Sequence, residues 1–187
     1  MNQSPSLFFI ALLPPPDIQT YANQIKQHFA DRYASRAAQK SPPHITLQPP
    51  FKWSNEALPI LKQCLSQFVM NRVPVPVTLQ GFAAFPPRVI YINVLKTEEL
   101  LTLQAELMAD LEAKLGIVDP VSKTRPFAPH VTVAFKDLTK QNFRAAWAEF
   151  QQQQLEFEFT ATDLTLLVHD GRQWNVSAEF PFSLKDE

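Results

Sequence analysis

The period of apolar and polar positions changes repeatedly along the chain, and each change marks an element. Ser6 to Leu13 is a short apolar run closed by Pro14, Pro15 and Pro16. It predicts a buried strand and then a helix entry, because proline is tolerated in the first turn of a helix. Asp17 stands where a carboxylate complements the helix N-terminus, and Ile18, Tyr21, Ile25 and Phe29 recur at helical spacing. A polar loop through Ser41, Pro42 and Pro43 leads into a second strand, His44-Ile45-Thr46-Leu47. Ser54 is placed to cap a helix bearing Leu58, Leu61, Leu65, Phe68 and Val69. Val73 to Phe85 reads as a strand whose prolines put part of it at a sheet edge.

The pattern then restarts. Val89 to Leu95 is a strand, and Thr97 caps a helix through Leu100, Leu103, Leu107, Leu111 and Leu115, with Gly116 at the C′ position. A loop holding Pro120 and Pro126 leads to the strand that begins at His130. Thr139 caps a helix carrying Phe143, Trp147 and Phe150, Leu155 to Val168 reads as one strand, and His169-Asp170-Gly171-Arg172 is a hairpin turn before the strand Trp174 to Phe182. Each half is thus strand, helix, strand, helix, strand, with a His-x-Thr on the second strand. Leu13 to His44 spans 31 positions and Leu95 to His130 spans 35. The matched order predicts an internal duplication, halves 1–87 and 88–187 related by a pseudo-two-fold axis. With no linker between them, the halves form one two-lobed domain over 1–187 and share a core.

Composition narrows the function classes. The 187 residues are 45% apolar, as in a globular chain, and the net charge is −1. That balance excludes the basic footprint of a protein that grips long nucleic acid, but leaves room for a short oligonucleotide or a small phosphate ester. Cys64 is the only cysteine, so neither a disulfide framework nor a cysteine zinc site fits within one chain. Leu7 to Leu13 is far short of the ~20 residues of a membrane span, and no basic segment precedes it. A cytoplasmic monomer without membrane attachment is expected. Only three glycines occur, none in a turn after the first strand, which argues against dinucleotide binding.

The chemistry lies in the repeated motif, His44-Ile45-Thr46-Leu47 and His130-Val131-Thr132-Val133. Side chains alternate across a strand, so His44 shares a face with Thr46, and His130 with Thr132, while the apolar partners anchor the opposite face. A duplicated fold can bring the two polar faces together across a cleft. Histidine titrates near neutral pH, so one imidazole can take a proton from an attacking oxygen while the other gives one to the leaving oxygen. The threonine hydroxyls can donate to phosphate oxygens as charge accumulates. This chemistry needs neither metal nor cofactor. Tyr91 and Asn93 share a face of the fourth strand and are candidates to line the cleft or to face solvent. Arg88, Arg125 and Lys52 lie near strand ends, as phosphate contacts or as solvated surface, and His28 and His169 read as surface.

These motifs resemble the two-histidine (2H) phosphoesterase superfamily, which includes 2′-5′ RNA ligase-like proteins and cyclic nucleotide phosphodiesterases. Ser6-Leu7-Phe8-Phe9-Ile10-Ala11-Leu12-Leu13 with its prolines is similar to the family's first strand and helix entry. Pro42 to Phe51 is similar to its first motif, and Arg125 to Phe135 to its second. The resemblance implies an α+β, bilobal, duplicated fold, with two antiparallel sheets lining a central cleft and helices outside. It implies His44 and His130 as catalytic residues, Thr46 and Thr132 as phosphate-binding residues, and hydrolysis of a 2′,3′-cyclic phosphate or related ester. The substrate would be a small nucleotide or a short RNA end, with reverse 2′-5′ ligation as a further activity. One departure stands out: ligase-like members often carry an arginine just after the second motif, where this chain has Phe135. Phe135 either stacks on a base or belongs to the core, and Lys136, one position on along a strand, would face the other way. The alternative from another class is a module that binds a nucleotide or phosphorylated metabolite without turnover.

Overall fold

The computed structural model describes residues 4–183. Its elements follow the expected order: β1 (Ser6–Leu12), α1 (Pro16–Tyr33), a 3-10 turn (Ala37–Lys40), β2 (Ile45–Trp53), α2 (Leu58–Val69), β3 (Val75–Phe85), β4 (Val89–Val94), α3 (Glu98–Leu115), β5 (His130–Ala134), α4 (Lys140–Phe150), β6 (Glu156–Ala161), β7 (Asp163–His169) and β8 (Trp174–Pro181). The start and stop signals operate as their chemistry dictates. Thr97 and Thr139 accept hydrogen bonds from the amides of Leu100 and Asn142 and so cap α3 and α4. Gly116 ends α3 with φ 66°, in the left-handed region where glycine carries no Cβ penalty. Ser54 does not cap α2, which instead starts after Ala57 without a side-chain cap.

The strands form two four-stranded sheets, ordered β2-β1-β7-β8 and β5-β4-β3-β6, with every pairing antiparallel. The fold is α+β. Each motif strand lies at the edge of its sheet beside the first strand of its own half: Ala11 opposes Thr46, and Tyr91 opposes Thr132. Three of the other strands are exchanged, and only β6 stays with its own half. β7 and β8 come from the second half of the chain but complete the sheet of β1 and β2, and β3 comes from the first half but lies between β4 and β6. The helices cross over likewise, with α1 against β5 and α3 against β2. The two lobes therefore do not coincide with residues 1–87 and 88–187.

A second difference from the sequence pattern lies in Leu155 to Val168, which is two strands in different sheets. The pattern itself changes there. From Glu156 to Thr160 exposed and half-buried positions alternate, whereas Leu164 to Leu167 is buried throughout. Thr162 and Asp163, joined by a 2.6 Å hydroxyl–carboxylate bond, mark the break.

One main core fills the space between sheets and helices. On β1, Phe8, Ile10 and Leu12 enter it, while Phe9 and Ala11 face the other way and pack with Leu167, Leu13 and Trp174. Ile45 and Leu47 of β2, and Val131 and Val133 of β5, are 1% exposed or less. Their burial fixes the register of both motif strands, because a slip of one residue would move every side chain to the opposite face.

Candidate active site

The residues opposite those anchors converge on one cavity of about 560 Å3, between the edges of the two sheets. His44, Thr46, His130 and Thr132 all line it. Each is half-buried, while the next residue along is buried, so both motifs alternate as a strand requires. His130 opens β5, and His44 stands immediately before β2, where the chain leaves the proline-stiffened loop.

Each imidazole is held by the backbone two residues before it. Nδ1–H of His44 donates to the Pro42 carbonyl at 2.7 Å, and Nδ1–H of His130 donates to the Ala128 carbonyl at 2.6 Å. A carbonyl only accepts, so this partner assigns the proton to Nδ1 and leaves Nε2 as the nitrogen free for chemistry. Both rings are also backed by aromatic side chains. The Phe9 ring lies 4.7 Å from that of His44 and 4.6 Å from that of Trp174. Around His130, Phe85 and Tyr91 stand at 5.3 Å and 5.0 Å. Removal from water disfavours the imidazolium and lowers both titrations, that of His44 to about 4. For His44 the Pro42 bond opposes this shift, while the positive charges of Lys26 and of a protonated His130 add to it. Both rings are therefore neutral bases at pH 7 in the free protein.

The remaining candidates fall into place unevenly. Tyr91 and Asn93 lie on the same sheet face as His130 and Thr132, yet neither is on the cavity wall: Tyr91 is 8% exposed behind the His130 ring, and half-buried Asn93 opposes His130 in the ladder. Phe135 is on the wall, and so is Lys136. The expectation that Lys136 faces away fails because β5 ends at Ala134. Lys136 adopts φ 59°, and the Asp137 amide turns back to the Phe135 carbonyl at 2.7 Å. Strand alternation no longer applies there, and the ammonium lies 5.3 Å from the Phe135 ring centre. Arg125 lines a smaller adjoining recess of about 250 Å3 that shares Thr46, Phe85 and His130 with the main cavity. Arg88 and Lys52 are on neither wall. His28 is half-buried and lies 2.8 Å from Glu149 of α4 rather than standing free on the surface.

Sequence reasoning missed Phe9, Phe85 and Trp174, which build the aromatic walls. The signal for Phe9 was present: in a strand buried on both faces, alternate residues must face something other than the main core, and here that is the cleft. Trp174 carries no such local sign, because β8 reaches the site only through the strand exchange. Among the described residues no three His, Cys, Asp or Glu side chains cluster, and no helix is long and apolar enough to cross a membrane.

Comparison with known proteins agrees with this architecture. A candidate phosphoesterase from Geobacillus kaustophilus is 28% identical over 174 residues, covering 91% of this chain and 93% of its own. Another from Bacillus pumilus is 27% identical over 176 residues, covering 91% and 94%. Among solved structures, TT0787 of Thermus thermophilus superposes with a TM-score of 0.69 at 19% identity, covering 96% of this chain and all of its own. LigT of E. coli in complex with 3′-AMP does so with a TM-score of 0.66 at 20% identity, covering 96% and 99%. The model of the 2′-5′ RNA ligase superfamily matches residues 14–173, a span that holds both motifs and all four α-helices, and to this phosphoesterase superfamily the chain belongs.

Proposed function

We propose that the protein hydrolyses a 2′,3′-cyclic phosphate, or a closely related phosphodiester, on a nucleotide or a short RNA end, by metal-independent acid/base catalysis. The observation that carries this reading is the pair of carbonyl-held imidazoles on one cavity, each with a free Nε2 and a threonine two residues on. The phosphate sits between them. Its negative charge raises the affinity of both rings for a proton, so one becomes an imidazolium while the other stays neutral. The neutral Nε2 removes a proton from water as the oxygen attacks phosphorus. The imidazolium gives its proton to the ribose oxygen as the P–O bond breaks. The Thr46 and Thr132 hydroxyls and the Lys136 ammonium stabilise the non-bridging oxygens, which carry the growing charge. Phe9, Phe85, Phe135 and Trp174 offer apolar surface to a base and exclude water around the phosphate. Crystals of LigT, whose fold is similar, contain 3′-AMP, ATP, NADP+ or phosphate, and these ligands favour a nucleotide here. 2′-5′ ligation belongs to the same proposal: a 5′-hydroxyl attacks phosphorus in place of water and gives its proton to the neutral Nε2, while the ribose 3′-oxygen leaves with the proton of the imidazolium.

The test is incubation of EDTA-treated protein with the four nucleoside 2′,3′-cyclic monophosphates and with a short RNA ending in one. Products are followed by mass spectrometry and by chromatography that separates 2′- from 3′-phosphates. Turnover should persist in EDTA and fall by roughly 100- to 10,000-fold in His44→Ala and in His130→Ala. Unchanged turnover in both variants refutes the mechanism. Binding without any product points instead to a nucleotide-binding module.

A further inference from the structure

One buried charge has no part in the chemistry above. Lys26 is 2% exposed and belongs to the inward stripe of α1, with Ile18, Ala22, Phe29 and Tyr33. An ammonium at such a position costs free energy unless it is paired. Among the described residues no carboxylate lies within ion-pair distance of it. Its hydrogen bond goes from Nζ to the Ser41 carbonyl, at 2.9 Å. The next carbonyl along, that of Pro42, accepts Nδ1–H of His44. Ammonium and imidazole therefore grip successive carbonyls of one proline-stiffened segment. His130 has the same ring-to-carbonyl bond, and Lys136 and Arg125 line the cavity and recess it opens on, but among the described residues no ammonium is anchored on the carbonyl next to its acceptor, as Lys26 is beside that of His44. The two motifs match in ring, tautomer and threonine, and differ in what stands behind them.

We infer that Lys26 is a positioning residue that breaks the near-symmetry of the pair: its ammonium, anchored on the Ser41 carbonyl behind His44, disfavours a second positive charge on that ring and so makes His44 the base and His130 the acid. The inference rests on the two-histidine reading of the site. Burial lowers both rings, and among the charges that act on His44 few stand beside Lys26. Lys26 faces it from α1, His130 from β5, and Lys136 from the turn after β5 across the cavity, while β1 and β8 present only Phe9 and Trp174. Among the described residues no carboxylate lines the cavity. Burial lowers Lys26 to about 8, which leaves it mostly charged at pH 7. When a phosphate enters and raises both imidazoles, the proton settles on the ring without a fixed cation behind it, which is His130. Asp137, the nearby carboxylate after β5, is committed to Ser35 Oγ and to the amides of Arg36 and Ala37.

The test reads both imidazoles by NMR titration of the full chain without substrate, in wild type, Lys26→Gln and Lys26→Arg. Glutamine keeps a donor for the Ser41 carbonyl but removes the charge. The His44 midpoint should then rise by about one pH unit, the scale on which a single nearby charge acts. His130 should stay where it is, and Lys26→Arg should restore the wild-type His44 midpoint. In kcat/KM profiles on the best cyclic phosphate, the acidic limb should move upward by the same amount in Lys26→Gln alone. A His44 midpoint unmoved in Lys26→Gln, or equal movement of both histidines, overturns the inference. Because the titration needs no turnover, its failure is distinct from failure of the phosphoesterase reading, which an inactive wild type would sink.

Discussion

A histidine whose Nδ1–H is committed to a carbonyl has one nitrogen left for chemistry, and this chain arranges that twice. The same burial that prepares the rings has a cost in acid. His44 is lowered from its ordinary 6.5 to about 4 in the folded state. Between those values the unfolded chain binds a proton that the folded chain does not, so stability is present above the unfolded value and lost as pH falls toward the folded one. For His44 alone this amounts to about 2 kcal/mol between pH 7 and 5, and His130 shifts in the same direction. Urea unfolding at the two pH values should show the loss, and His44→Gln should remove most of its own share. An equal loss in the variant would show that His44 is not the group responsible. The motif residues were legible because strand alternation is a strict rule. Lys26 was not singled out, although it falls on the stripe Ile18–Ala22–Lys26, because a lysine in a helix ordinarily marks the solvent face.

Elements were legible where one period runs unbroken between clear punctuation, as in α3 with Thr97 at one end and Gly116 at the other. They were misread where tertiary structure imposes a change that only a short break signals, as at Thr162 between β6 and β7. The turn after β5 is a second such place, and it matters to the site. Asp137 there accepts from Ser35 Oγ at 2.8 Å and from the amides of Arg36 and Ala37 at 2.8 Å and 3.0 Å. It thereby ties the end of the His130 strand to the segment that leads into His44. Asp137→Ala should destabilise the protein by about 1–2 kcal/mol, a modest figure because the carboxylate is exposed. It should also lower kcat/KM more than a loss of that size in stability explains, since Lys136 is the neighbouring residue on the cavity wall. Denaturant melts beside steady-state kinetics at a temperature where both proteins are folded check this. Unchanged kinetics would show that the tie serves stability alone.

At the scale of the molecule, the matched order of elements was legible, but the exchange of strands was not, because hydrophobic period says which face is buried and not which sheet a strand joins. The exchange has a measurable consequence. Residues 1–87 alone hold β1 paired with β2, but β3 has lost both of its neighbours and α1 has lost the β5 strand it covers. Residues 88–187 keep β4 with β5 and β7 with β8, yet β6 has lost β3, and β7 has lost β1. Two-stranded pairs are marginal in water, and each fragment exposes the apolar faces that the other half covers. Expressed separately, neither fragment should unfold cooperatively in urea, and mixing them should restore a single transition together with catalytic activity. A cooperative transition in the isolated 1–87 fragment would show instead that each half carries its own core, and that the exchanged strands decorate two domains rather than join them. The candidate site argues for the joined case: His44 and Thr46 come from one half and His130 and Thr132 from the other, and strands and helices that cross between the halves hold the two pairs on one cavity.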